Sequence, residues 1–158
     1  MIYIGKNREC FFDTHLIDEE KNTAEHRIHH PVRKGVVMCH DAPWEGNGSD
    51  FHNFIYDNGV WRMYYLGWWY GYGKSVGIRL CYAESKDGIH WERMSTTPFL
   101  KNGAADEWNS SESGHPHIFT DEDGRTYLFY QGNNSKGKHW YLSQKEVFWR
   151  GKKPYLKE

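Results

Sequence analysis

The sequence is poor in the features that commit a chain to a named chemistry. Its three cysteines, Cys10, Cys39 and Cys81, are far apart and show no CxxC spacing, which excludes a cysteine metal knuckle or a dithiol redox pair and predicts reduced thiols. No segment approaches the run of about 18 apolar residues that a membrane helix needs. The opening stretch MIYIGKNRECFFDTHLIDEE lacks the apolar centre of an export signal, so a cytoplasmic location is expected. Charge of one sign is lacking too: 20 Lys and Arg against 21 Asp and Glu give a formal charge of -1. Without a field of one sign, neither nucleic acid nor an anionic membrane is an expected partner. No glycine-rich phosphate loop, GxSxG elbow or HExxH helix occurs, which sets aside kinase, serine hydrolase and zincin chemistry. A sustained 3.6-residue period is missing, apart from a short possibility around Asp18 to His26.

What the chain has is aromatic side chains in a polar background. Phe, Trp and Tyr make up 17% of residues, with 8 Trp and 11 Tyr, while mean hydropathy is -0.88. At 158 residues one ordinary domain can bury a core of its own, yet some of these rings must stay at least partly exposed.

An internal repeat organises the rest. Sliding DNGVWRMYYLG (57 to 67) onto DEDGRTYLFYQG (121 to 132) places Gly59 on Gly124, Tyr65 on Tyr130 and Gly67 on Gly132, each a shift of 65 residues. Each copy is an apolar stretch, a turn with Asp or Asn and Gly, and an alternating aromatic strand, the pattern of a β-hairpin. A second match at a shift of 58 sets Ser85 on Ser143 and Trp91 on Trp149. The pattern predicts strands near 51–56, 60–68, 77–84 and 90–94, repeated near 115–120, 126–132, 139–143 and 147–150. Four short antiparallel strands per unit of about 60 residues suit a propeller blade, because a sandwich has no reason to repeat its sequence. The expected fold is all-β and propeller-type: an N-terminal arm with a possible closing strand over 1–40, one blade over 41–98 and a second over 99–158.

The segment CYAESKDGIHWE (81 to 92) is similar to the SxDGxxW strand-turn-strand of five-bladed propeller glycosidases in families 32, 43 and 130 and their relatives. Upstream, FFDTHLIDEEKNTAEHRIHHPV resembles the leader of those relatives, and DAPWEG resembles the motif before their first blade. The resemblance covers residues 11 to 91 well and the remainder as a blade pattern. It implies a five-bladed fold with a funnel on the axis, where carboxylates from the innermost strands act on a glycosidic bond. About two blades are present, so a closed pocket would need partner copies, or the chain is a fragment. Asp87, Gly88 and Trp91 belong to the hairpin, with Trp91 expected to pack between blades, and carry no catalytic role.

Glycoside hydrolysis usually needs two carboxyl groups, about 5 to 5.5 Å apart for retention or about 6.5 to 9.5 Å for inversion. Asp50 opens the first innermost strand, where the resemblance implies the first-blade catalytic carboxylate; the plainer role is a cap on the NGSD turn. The shift of 65 aligns His115 with Asp50, so the nearest carboxylate of the second unit is Glu112, a proton donor, a tuning charge or a solvated loop residue. Asp41 and Glu45 are alternative acids expected near the pocket rim, and Trp44 beside them stacks on a sugar or on the core. Trp68, Trp69, Tyr70 and Tyr72, among three glycines, form a sugar platform or a subunit contact. His115 and His117 share a strand face if alternation is regular. With no third ligand identifiable, hydrogen bonding to sugar by His52, His115 or His117 is preferred to a metal, and no metal or cofactor is assigned. The expected activity is that of a glycoside hydrolase-like protein on an oligosaccharide. The competing readings are a non-catalytic carbohydrate-binding or assembly module and an inactive fragment of a longer propeller.

Overall fold

The computed structural model describes residues 5, 10, 13–25, 27–71, 74–134 and 138–157, with the side chains of 70, 71 and 74–76 outside that description. The chain divides into two compact units, Met1–Lys34 and Gly35–Glu158. In the first, backbone bonds from Ile17 N to Thr14 O (2.9 Å) and from Lys21 N to Asp18 O (3.1 Å) close successive turns. The described residues 18–25 are turn and irregular chain rather than helix, and no strand occurs among the described residues of 13–45.

The second unit is built from β1 (Gly48–Asp57), β2 (Val60–Gly71), β3 (Lys74–Ser85), β4 (Trp91–Arg93), β5 (Glu112–Thr120), β6 (Thr126–Asn133), β7 (Tyr141–Arg150) and β8 (Lys153–Leu156). β1 to β4 pair antiparallel in chain order, and so do β5 to β8. The fold is all-β and made of two tandem four-stranded antiparallel sheets. One parallel pairing, Ile78 with Glu112, joins them.

The first hairpin forms because Asn58 and Gly59 adopt φ of 50° and 79°, the left-handed pair that a two-residue turn between twisted strands requires. β2 then alternates between two cores. Tyr64 packs with Leu80, Tyr82, Leu100, Ile118, Leu128, Tyr130 and Val147 between the two sheets. Met63 and Tyr65 point the other way and join Cys81 and Ala83, covered by Met38, Trp44 and Trp91. The period of two thus buries both faces of the first sheet. The second sheet buries one face and leaves large side chains such as Phe119 and Leu142 exposed on strands β5 and β7.

Two sequence expectations change here. The second half of unit two is a single strand, β7, followed by β8 after a turn at Gly151 (φ 62°). Tyr65 pairs with Cys81 and Tyr130 with Ser143, so the repeat runs at a shift of 62 there, not 58. The Ser and Trp matches at 58 were chance, outweighed by the pairing of aromatic strands. Trp91 does not sit between the sheets; it covers the Met63 and Tyr65 cluster and meets Phe54 edge-on at 5.5 Å.

The turn before Trp91 shows why its residues are needed. Gly88 N donates to Ser85 Oγ (2.9 Å), while Ile89 N and His90 N both donate to Asp87 Oδ1 (2.8 Å each). Trp91 Nε1 returns a bond to Gly88 O (3.1 Å). These donors hold the Asp87 carboxyl far below its ordinary value, led by the backbone of His90.

The segment before β1 is fixed by a buried ion pair. Glu45 has no exposed surface. Its Oε1 accepts from Arg93 Nε (2.9 Å) and from the Tyr65 hydroxyl, and its Oε2 accepts from Arg93 Nη2 (2.8 Å) and Ala42 N (2.9 Å). Burial alone would raise the Glu45 carboxyl; Arg93, Tyr65 and Ala42 outweigh it and hold it below the ordinary value. Removing one partner of such a pair leaves a charge buried alone, which costs roughly 3 to 5 kcal/mol. Because Arg93 is partly exposed, Arg93→Leu is expected to lower unfolding free energy by about 3 kcal/mol, read from urea denaturation. An unchanged midpoint would contradict this role.

Candidate active site

β1 and β5 converge, and both are broken by the same irregularity. In β1, Asp50 pairs with Leu66 and Asn53 with Tyr64, leaving Phe51 and His52 opposite Tyr65 alone. In β5, Gly114 pairs with Gln131 and His117 with Phe129, leaving His115 and Pro116 opposite Tyr130. Each is a two-for-one bulge, and at each the first extra residue has a left-handed backbone: φ is 50° at Phe51 and 51° at His115. Pro116 suits such a place, since an unpaired bulge residue needs no N–H.

The bulges correct the expected equivalence. Asp50 matches Gly114 and Phe51 matches His115, a shift of 64, because the turn closed by Asp121 and Arg125 encloses three residues where the one closed by Asp57 and Val60 encloses two. The two bulge residues meet, with the Phe51 and His115 ring centroids 3.8 Å apart. Bulging also interrupts regular alternation between His115 and His117. His115 Nδ1 lies 3.2 Å from Glu112 Oε1, whereas His117 is exposed beside Phe129. The two do not form the same-face pair that alternation predicted.

Glu112 is 5% exposed. Besides His115, Gln131 Nε2 donates to its Oε1 (3.0 Å) and Trp140 Nε1 to its Oε2 (3.3 Å). Such a setting fixes both carboxylate oxygens at the mouth of the inner strand. Asp50 is different: it is exposed, and its Oδ1 accepts from the neighbouring Phe51 N (2.8 Å), as a turn-capping residue does.

Beyond Asp50 stands a histidine pair that the sequence did not reveal. His52 Nε2 is 3.1 Å from His40 Nε2 and its ring stacks on Tyr65 at 5.7 Å and 3°. His40 packs on the same Tyr65 at 4.6 Å. Its Nδ1 faces Glu45 Oε1 at 3.7 Å, too long for a hydrogen bond, and is buried with no hydrogen-bond partner. No motif announces this group; the only signal was the crowding of His, Asp and Glu within 40–52. Glu45 is therefore interior rather than at a rim, and Asp41 is the exposed acid of the pair, bonded to Arg93 Nη2 at 2.8 Å.

Of the ring candidates, Trp44 is half-buried against the Met63 cluster. Trp68 is half-buried over Gly48, where a Cβ would lie 1.5 Å from its Nε1, so a side chain at that position would have to displace the indole. Trp69 is exposed. The side chain of Tyr70, and Tyr72 altogether, lie outside the described residues, so the four-ring platform is only partly visible. Among the described residues no three His, Cys, Asp or Glu side chains gather as a metal site.

Solved structures supply the class. Similar to this chain are a glycosyl hydrolase from Bacteroides ovatus (26% identity over 65% of this chain and 29% of that one, TM-score 0.54) and an endo-1,4-beta-xylanase from Bacteroides thetaiotaomicron (19%, 75% and 42%, TM-score 0.61). The Cellvibrio cellulosa alpha-L-arabinanase, complexed with arabinohexaose, is also similar (15%, 69% and 36%, TM-score 0.54). The chain is a propeller-type, glycoside hydrolase-like fold, and it spans between about three tenths and two fifths of the length of these three structures. No family model matches it, and no curated protein does.

His52 gives the site a pH signature. Burial first, and the facing His40 second, push its imidazole below the ordinary value, with Asp50 pulling the other way. A lowered folded value means that the unfolded chain binds the proton more readily. Stability from this group is complete above the ordinary value of 6.5 and is lost as pH falls below it. Thermal unfolding of His52→Gln should therefore decline less steeply than that of the parent between about pH 7 and about pH 5. Identical slopes would remove His52 from this account.

Proposed function

We propose that the protein is a glycoside hydrolase-like protein that acts on an oligosaccharide at the mouth of β1 and β5, with Asp50 as base or nucleophile and Glu112 as the second carboxylate. The observation that carries this reading is Glu112, a nearly buried carboxylate with both oxygens held by Gln131, Trp140 and the His115 side. A core carboxylate of this kind costs free energy to bury, and an inner-strand mouth is where the charge can be used. The fold of glycan-acting enzymes supports it, as does the relatives' chemistry: the xylanase and the arabinanase are named for polysaccharides, and the latter was captured with arabinohexaose.

In this reading Asp50, exposed and beside the His52 and His40 pair, meets the anomeric centre or its water, while His52 and His115 bond sugar hydroxyls. His117 and Trp68 and Trp69 line the approach, and Asp41 stands at the edge. The funnel needs more wall than two sheets supply, which further sheets of a longer protein or other copies of the chain would provide. A second reading, a glycan-binding module without turnover, is favoured by one fact: the second-sheet equivalent of Asp50 is Gly114, so the inner strands do not repeat the carboxylate.

Asp50→Asn, nearly isosteric and exposed, should leave the unfolding transition in place and reduce glycoside hydrolysis by about a thousandfold, measured by chromatography of products from arabino-, xylo- and manno-oligosaccharides. Retained turnover would remove Asp50 from the chemistry; glycan binding by the parent with no product would establish the module instead. Light scattering on a sizing column gives a defined oligomer if other copies complete the funnel, and a monomer would favour the module or a fragment of a longer propeller.

A further inference from the structure

At the bulge of β1 two imidazoles meet nitrogen to nitrogen. His52 Nε2 lies 3.1 Å from His40 Nε2 and 3.3 Å from Ser49 Oγ. The Ser49 hydroxyl gives its own proton to Leu66 O (2.7 Å), so its oxygen has only lone pairs to turn toward the imidazole. The other nitrogen of His40, Nδ1, faces the Glu45 carboxylate, which Arg93 keeps ionised. A carboxylate draws the imidazole proton to the nitrogen that faces it, which leaves His40 Nε2 bare. His52 Nε2 thus meets two acceptors with one proton to offer, and a cation in that proton's place would use both ring nitrogens.

We propose that His40 and His52 hold one zinc ion between their Nε2 atoms. Two imidazoles on a tetrahedral zinc, with bonds of about 2.0 to 2.1 Å, set their nitrogens about 3.4 Å apart. The pair stands within a few tenths of an ångström of that bite. To bind, His52 need only carry its proton on Nδ1, so it ligates as the neutral ring that its surroundings already favour. Glu45 behind His40 is the carboxylate that orients a ligating imidazole from the rear. Both rings pack on Tyr65, at 4.6 Å for His40 and 5.7 Å for His52, so they are placed before any ion arrives. Glu45, Asp41 and Asp50 bring three negative charges to this neighbourhood and Arg93 one positive, a balance that suits a divalent ion. Imidazole nitrogen selects zinc over calcium or magnesium, which take oxygen. No third His, Cys, Asp or Glu joins the pair among the described residues. Water fills the remaining positions, and because His52 is exposed the ion exchanges with solution.

The inference concerns binding alone and holds whether or not Asp50 and Glu112 hydrolyse anything. It is tested by titration calorimetry of the full chain with zinc chloride, against calcium chloride. The chain has 10 histidines, so the readout is a difference between variants. His40→Gln and His52→Gln are each expected to remove one equivalent of bound zinc, and the double variant no more than one, because the ion needs both rings. His40→Gln loosens packing on Tyr65, whereas His52→Gln changes an exposed side chain and should leave the unfolding transition in place. Zinc should therefore raise the thermal midpoint of the parent more than that of His52→Gln. No zinc uptake by the parent would overturn the proposal. So would undiminished stoichiometry in His52→Gln, two equivalents lost in the double variant, or calcium taken up at the same place.

Discussion

The placement of the chain that enters β1, and of the His40 and His52 pair with it, depends on one buried carboxylate. Glu45 sits with no exposed surface and is held by Arg93, Tyr65 and the Ala42 amide. Those partners come from β4, from β2 and from the stretch just before Glu45, so one ion pair fastens irregular chain across the first sheet. Without it the Met63 and Tyr65 face would lose its cover of Met38 and Trp44. His40 would also lose the backbone that brings it against His52. The charge is tolerable in the interior because both oxygens are used. It costs more than an apolar contact would, and what it gives in return is one fixed position for the chain that enters β1.

Two other ties fix the sheets to each other. The aromatic and aliphatic layer around Tyr64, Tyr82, Leu128 and Tyr130 supplies the area. At the far end from the site, Arg62 donates to Tyr82, Glu84 and the Lys152 carbonyl at 2.7 to 3.1 Å and stacks on Trp149 at 4.6 Å. A planar, always-charged group suits this place, since it binds in its plane and stacks on its face together. With the sheets locked at both centre and base, the starts of β1 and β5 are brought together, which is where the Phe51 and His115 rings meet.

Much of this was legible in the sequence, for reasons that can be named. The hairpins at Gly59 and Gly124 follow from turn chemistry and a period of two, signals that need no tertiary contact. The turn at Asp87 and Gly88 was equally local. Tertiary pairing decided the remainder. The register of β7 departed from the match of Ser85 with Ser143 because cross-strand neighbours, not recurring letters, set it. The bulges were illegible: Phe rarely takes a left-handed backbone, and His, though it does so more often than most residues, does so too seldom for FHN or HPH to mark one. Glu45 reads as a surface acid in DAPWEG, and only the arrival of Arg93, 48 residues on, makes it interior. Of the site, the choice of Asp50 and Glu112 rested on strand order and family likeness, while the His40 and His52 pair required a fold to bring its halves together.

The twin bulges have a consequence for how such a chain can change over generations. A side chain other than glycine at φ near 50° is held there at a cost of about 1 kcal/mol or more, and here the cost is met twice, at Phe51 and at His115. Drift toward glycine at either place would relax the backbone and make the fold sturdier, while erasing the ring pair at the strand mouths. A robust lineage and a ring-bearing one therefore pull apart at these two residues, and keeping both rings means living with a less settled chain.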